Sequence, residues 1–264
     1  MTTAALEARS GDVRIAYEVL GDGPPLLLCQ GLGYTRTGWG PARELLAERF
    51  AVVCFDNRGI GGSDVPPGPY TAPQLAADAL AVLEAAGFER AHVVGASLGG
   101  MVAQEVALAA PGRVDKLVLA CTSPGGAQAF PMPAATVALF AQASVLEPLD
   151  ALRRFVANAL APDAPAELVE EIYAYRVAHP PDLAGWQAQA AAGAAHDAYG
   201  RLSQIAAPTL VLHGTADNVV DHRNAELLAE RIPNARLELF AGAGHLFFWE
   251  QPERFAEAVE GFLA

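Results

Sequence analysis

The sequence predicts an α/β fold in which a mostly parallel central sheet is flanked by helices. Two observations carry that prediction. Short apolar runs recur at 26–29, 51–55, 92–94, 117–120 and 210–212, and segments with helical spacing lie among them. Runs of this length without polar alternation suit strands buried on both faces, and strands alternating with helices imply βαβ units. A third observation qualifies the pattern. Between 122 and 202, roughly 80 residues long, no buried strand-type run appears, which is far more than an ordinary connection needs. That stretch is rich in alanine and punctuated by Pro131, Pro133, Pro148, Pro162, Pro165, Pro180 and Pro181. It predicts a helical cap inserted into one domain, with 1–121 and 203–264 forming the core and 122–202 the cap.

The elements follow in order. Residues 13–19 are β-branched and alternating, and 21–25 is a Gly- and Pro-rich turn. The first two strands precede any helix, so they are expected to form an antiparallel meander at one edge. Helical spacing covers 72–86, ending before Gly87, and 101–109, ending before Pro111 and Gly112. Amphipathic segments at 224–231 and 252–263 flank a sixth strand candidate at 237–240. The alanine run at 188–195 reads as a helix face.

Composition sets limits. The chain has 264 residues, 52% of them hydrophobic and 18% charged, which is a globular composition. Its net charge is −13 and Lys116 is the only lysine, so no basic patch for nucleic acid is expected. No apolar run approaches the ~18 residues of a membrane span, and 1–12 lacks the pattern of a secretory leader. A cytoplasmic protein without membrane contact is expected. Cys29, Cys54 and Cys121 share no metal or redox spacing and read as buried thiols.

The strongest local signal is Gly95-Ala96-Ser97-Leu98-Gly99, set between an apolar strand and a helix. A sharp strand-to-helix turn strains its central residue and crowds its neighbours, and glycines relieve that crowding. The serine then stands at a helix N-terminus, where developing negative charge is favoured. A serine hydroxyl needs a base, and the base needs an orienting acid. Asp217 lies just past the strand at 210–212, and His245 lies in the glycine-rich loop after 237–240. The order Ser97, Asp217, His245 and the strand-end positions fit nucleophile, acid and base. Of the six histidines, His213 is the best rival base, and Asp221 is the nearest rival acid. The positions after 117–120 carry no carboxylate, which favours Asp217. Oxyanion donors are expected from the backbone amides of Leu98 and of Leu32, the latter between Gly31 and Gly33. Trp39, Phe130, Met132, Phe140, Trp186 and Leu246 are expected to line the substrate pocket. No metal or organic cofactor is implied.

Taken together, these motifs resemble the α/β-hydrolase superfamily over nearly the whole chain. The loop Asp56-Asn57-Arg58-Gly59-Ile60-Gly61-Gly62-Ser63 is similar to the family's D-x-R-G-x-G-x-S pattern, and 208–214, Gly244-His245, Glu250, Pro252 and Phe255 match later signatures. The nearest resemblance is to small serine carboxylesterases, 3-oxoadipate enol-lactonases and cofactor-free haloperoxidases. It implies cleavage of a small-molecule ester or lactone through an acyl-enzyme. Lactonase, C–C bond hydrolase, perhydrolase and ligand-receptor readings stay open beside it, and the oligomeric state is not legible. One departure stands out. Gln30-Gly31 replaces the usual His-Gly before the oxyanion residue, and glutamine can brace the loop but cannot titrate near neutrality. Members with an aspartate nucleophile are disfavoured because position 97 is serine.

Overall fold

The computed structural model describes residues 6–143 and 145–264; residues 1–5, part of the stretch read for a leader, and Ser144 lie outside the described residues. Eight strands form one sheet: β1 (Leu6–Ser10), β2 (Val13–Leu20), β3 (Pro25–Cys29), β4 (Ala51–Phe55), β5 (Ala91–Ala96), β6 (Val114–Ala120), β7 (Thr209–Gly214) and β8 (Ala235–Phe240). Their spatial order is β1-β2-β4-β3-β5-β6-β7-β8. β2 runs antiparallel to β1 and β4, and every pairing from β4 through β8 is parallel.

The expected edge meander needs correction. β2 and β3 do not pair with each other: β2 takes β1 and β4 as neighbours, and β3 lies in the middle between β4 and β5. β1 has the sequence LEARS, whose charged residues face outward at the sheet edge, so it carries no apolar run. β3 is short and wholly apolar because both of its faces are covered. Leu26 and Leu28 enter one core and Leu27 and Cys29 the other, and all four are fully buried. β6 divides the same way, with Leu117 and Leu119 on one side and Val118 and Ala120 on the other.

The helices of the core are α1 (Pro41–Ala47), α2 (Ala72–Ala85) and α3 (Leu98–Ala109), followed later in the chain by α8 (Arg223–Arg231), α9 (Phe247–Glu250) and α10 (Pro252–Leu263). α2 opens with a capping box in which Thr71 and Gln74 satisfy each other's amides, and Pro73 sits in its first turn, where its missing N–H costs nothing. Its Leu75, Ala79, Val82 and Leu83 join α3 and α8 on one face, while α1, α9 and α10 cover the other.

Between β6 and β7 the chain leaves the sheet and forms α4 (Ala134–Ala143), α5 (Pro148–Asn158), α6 (Ala166–Ala178) and α7 (Leu183–Ala194). An isolated bridge between Gly125 and Asp197 ties the two ends of this excursion together. Cys29, Cys54 and Cys121 are buried free thiols. Among the described residues, no helix is long and apolar enough to cross a membrane.

Candidate active site

Ser97, Asp217 and His245 follow β5, β7 and β8, at the carboxyl ends of parallel strands. Ser97 has φ 56 and ψ −120 and leads directly into α3, a left-handed conformation that a side chain adopts only under constraint. The constraint is visible on both sides. The Ser97 amide donates to the Ala120 carbonyl at 2.9 Å, and the Thr122 hydroxyl donates to the Ser97 carbonyl at 2.7 Å. A Cβ at Gly95 would collide with the Gly99 carbonyl, and one at Gly99 with the Cys29 carbonyl. Those collisions explain why the serine must be bracketed by glycines.

Asp217 is buried, and each of its oxygens accepts two hydrogen bonds. Oδ1 takes the amides of Val219 (2.7 Å) and Val220 (2.9 Å); Oδ2 takes His245 Nδ1 (2.7 Å) and His213 Nε2 (2.9 Å). Burial by itself would push this carboxyl up. The His245 charge and the hydrogen bonds from both histidines outweigh it and hold the group well below the usual carboxylate range. With Nδ1–H of His245 donated to Asp217, the neutral ring keeps its lone pair on Nε2.

His213, the rival base, is placed differently. Its Nε2 faces two acceptors, Asp217 Oδ2 and the Val220 carbonyl at 3.1 Å, so the proton resides there. Its Nδ1 is buried and has no hydrogen-bond partner among the described residues. The ring is fully buried and takes no part in the cavity wall. Asp221, the rival acid, is taken by Arg223, accepting from its backbone and its guanidinium. Cys121 lines the cavity, but burial, with the Asp217 charge behind it, pushes its thiol well above the ordinary range and keeps it protonated.

Ser97 and His245 both line one cavity of about 520 Å³. Gln30, Gly31 and Leu32 line it too, and a Cβ at Gly31 would lie 3.2 Å from Ser97 Cβ and 3.8 Å from its Oγ. The departure at Gln30 now has a physical role: its Oε1 accepts the Gly31 amide at 2.6 Å, and its carbonyl accepts Asn57 Nδ2 at 3.1 Å. The Gly33 amide donates to Gln189 Oε1 at 3.2 Å. The amides on either side of Leu32 are thus committed to side-chain carbonyls, with Leu32 N–H between them. Leu98 is the first residue of α3, where an amide has no partner within its own helix.

Three of the expected pocket residues lie elsewhere. Trp39 is fully buried in the core against Phe248 and Phe255, with ring centroids 5.2 and 6.4 Å away. Phe130 lies under the Arg223 guanidinium beside α8, and Met132 is exposed. Nearness in sequence or apolar character favours these positions, but none of the three side chains lines the cavity. Phe140, Trp186 and Leu246 do line it, together with Phe155, Val156 and Arg176.

Several supporting residues carry no sequence signal of their own. Gln189, fully buried on α7, links the Gly33 amide to the Arg58 carbonyl (2.8 Å) and so ties the inserted helices to two core loops. Glu250 accepts the amides of Gly244 and Ala161, fixing the loop that bears His245 to the end of α5. The Asp56 loop is structural. Asp56 accepts from Arg36 and Gly62, Ser63 Oγ donates to the Asp56 carbonyl, and Arg58 holds Asp78 at 2.6 Å twice. No group of three or more His, Cys, Asp or Glu side chains among the described residues is arranged to hold a metal ion.

Comparison with known proteins agrees with this architecture. Residues 24–252 match the family profile of the alpha/beta hydrolase fold. The chain is 35% identical to a protein of Azorhizobium caulinodans provisionally named carbamate hydrolase RutD, over 97% of each chain. It is 31% identical to 3-oxoadipate enol-lactonase 2 of Acinetobacter baylyi, covering 96% of this chain and 94% of that one. An esterase of Exiguobacterium antarcticum superposes with a TM-score of 0.86 at 26% identity, over 98% of each chain. A profile match across most of the chain and relatives aligned nearly end to end show that the protein belongs to the α/β-hydrolase family.

Proposed function

We propose that this chain is a serine hydrolase that cleaves carboxylic esters, cyclic esters included, through an acyl-enzyme on Ser97. The observation that carries the reading is the convergence of a strained serine and a histidine on one cavity wall, with a buried, ionised Asp217 behind the histidine. Similarity to proteins named as an enol-lactonase and an esterase supports the substrate class.

In this reading His245 Nε2 takes the hydroxyl proton as Ser97 Oγ attacks the carbonyl carbon. Asp217 holds the ring in the required tautomer and stabilises it once charged. The negative oxygen of the tetrahedral intermediate accepts from Leu98 N–H, at the mouth of the twelve-residue α3, and from Leu32 N–H. His245 returns the proton to the departing alcohol, and a water activated by the same base releases the acid. The apolar wall formed by Phe140, Phe155 and Val156 accommodates hydrocarbon next to the scissile bond. The region around β6 to β7, residues 122–202, acts as the cap.

Ser97→Ala tests the proposal. It is expected to lower kcat for p-nitrophenyl butyrate by at least about 10⁴-fold, with an unchanged circular dichroism spectrum. Wild-type turnover by that variant, or binding without turnover by the wild type, would sink the proposal.

A further inference from the structure

The upper wall of the cavity is apolar except at one place. Arg176, near the end of α6, lines it, and no Asp or Glu does so among the described residues. Other arginines close to the site are neutralised: Arg36 pairs with Asp56 at 2.5 Å and Arg58 with Asp78 at 2.6 Å. Arg176 has no carboxylate partner among the described residues. Its guanidinium lies over the Tyr34 ring, 4.2 Å from the centroid, and its Nε is buried without a hydrogen-bond partner. Burial raises the Tyr34 hydroxyl, and the opposing pull of Arg176 does not overcome it. That phenol stays neutral and supplies no counter-charge.

The position of the cation is as informative as its isolation. A Cβ on Gly33 would lie 3.4 Å from Arg176 Nη2 and 2.7 Å from the Trp186 ring. The fork therefore sits beside the loop that carries Leu32, over the cavity. A stack on a tyrosine is favourable whether or not the charge faces a cavity. A buried donor left unmet is a cost that a ligand can relieve. In a chain of net charge −13, with carboxylates available for most of its arginines, this one is left open toward the substrate side.

We infer that Arg176 anchors a carboxylate carried by the substrate, so that the enzyme prefers half-esters or lactones bearing a free acid over uncharged esters. The inference rests on the proposed ester chemistry for its substrate class. The planar fork fits a carboxylate through two parallel hydrogen bonds, which a lysine cannot reproduce. The anion binds over Gly33, leaving the carbonyl to reach Ser97 below.

The test compares p-nitrophenyl hemiglutarate with its uncharged methyl ester. Wild type is expected to favour the anion by roughly tenfold or more in kcat/KM, the scale of a charged hydrogen bond. Arg176→Gln should bring that ratio close to unity, and Arg176→Lys should restore part of it. Equal turnover of both esters by wild type, or an unchanged ratio in Arg176→Gln, overturns the inference. Calorimetric titration of Ser97→Ala with the hemiglutarate separates anchor from chemistry. Binding that disappears when Arg176→Gln is added supports the anchor even if wild type hydrolyses neither ester, an outcome that would remove the proposed reaction alone. No binding to Ser97→Ala overturns the anchor.

Discussion

Two sets of helices meet at the cavity, and they are built differently. α3, which follows directly on Ser97, buries nine of its twelve residues between the sheet and its neighbours. α4 buries two of ten and α6 one of thirteen, while Val137, Phe140, Val145 and Leu149 along the same excursion are exposed. A residue clamped on all sides keeps its geometry, whereas a helix held by few contacts can adjust at small cost. The difference suits two tasks. The proposed reacting groups stand on the densely packed side, and the surface proposed to meet the variable part of a substrate stands on the loosely packed side.

The contrast can be broken or sharpened experimentally. Its largest expected effect is the loss of turnover in Ser97→Ala. Asp217→Asn comes next, because it removes the charge that fixes the His245 tautomer; a fall in kcat of about 10³–10⁴-fold is expected in steady-state kinetics. A stability pair then compares the two sides. Leu27→Ala empties a fully buried position and should cost about 2–5 kcal/mol in denaturant unfolding, whereas exposed Leu149→Ala should stay within about 0.5 kcal/mol. Equal losses would show that the inserted helices are as constrained as the core. Phe140→Ala should alter relative kcat/KM along an ester chain-length series by about tenfold per methylene, the low end for an apolar pocket contact, with kcat for short esters nearly constant.

The smallest expected effect concerns pH. His196 is buried, and loss of solvation holds it below its ordinary value against the opposing charge of Glu105. The unfolded chain binds this proton more readily, near pH ~6.5. The stability contributed by neutral His196 is therefore present above that pH and lost as pH falls below it. Melting temperature should drop between neutral pH and pH ~5.5, and less steeply in His196→Gln; parallel slopes would exclude this residue as the cause. Asp217, shifted down, adds its own loss only in more acidic solution.

The core was legible in sequence because its signals are local and steric. Glycines around Ser97 are required by collisions with nearby backbone, and Asp217 and His245 each follow a strand that can be recognised by composition. The cavity wall was much less legible. Trp39 sits close in sequence to Leu32, yet its ring points into the opposite core. Arg176 and Gln189 acquire meaning only when α6 and α7 fold back over the Gly31–Gly33 turn, a contact between positions more than 140 apart in the chain. β1 escaped for a different reason. An edge strand with one exposed face needs no apolar run, and its antiparallel partner supplies the pairing.

One contact between the two regions bears on how such proteins diversify. α7 approaches the Asp56 loop so closely that a Cβ on Gly185 would strike the Gly59 carbonyl, and Gly59 itself has φ 89 and Gly185 Cα within 2.9 Å of where its Cβ would be. At this spot α7 and the loop meet backbone against backbone, beside the Tyr70 ring. A helical segment transplanted from a relative would have to bring a glycine to this spot or lift away from the loop. Swapping this helical segment in search of new specificities is thus constrained at a residue outside the cavity lining.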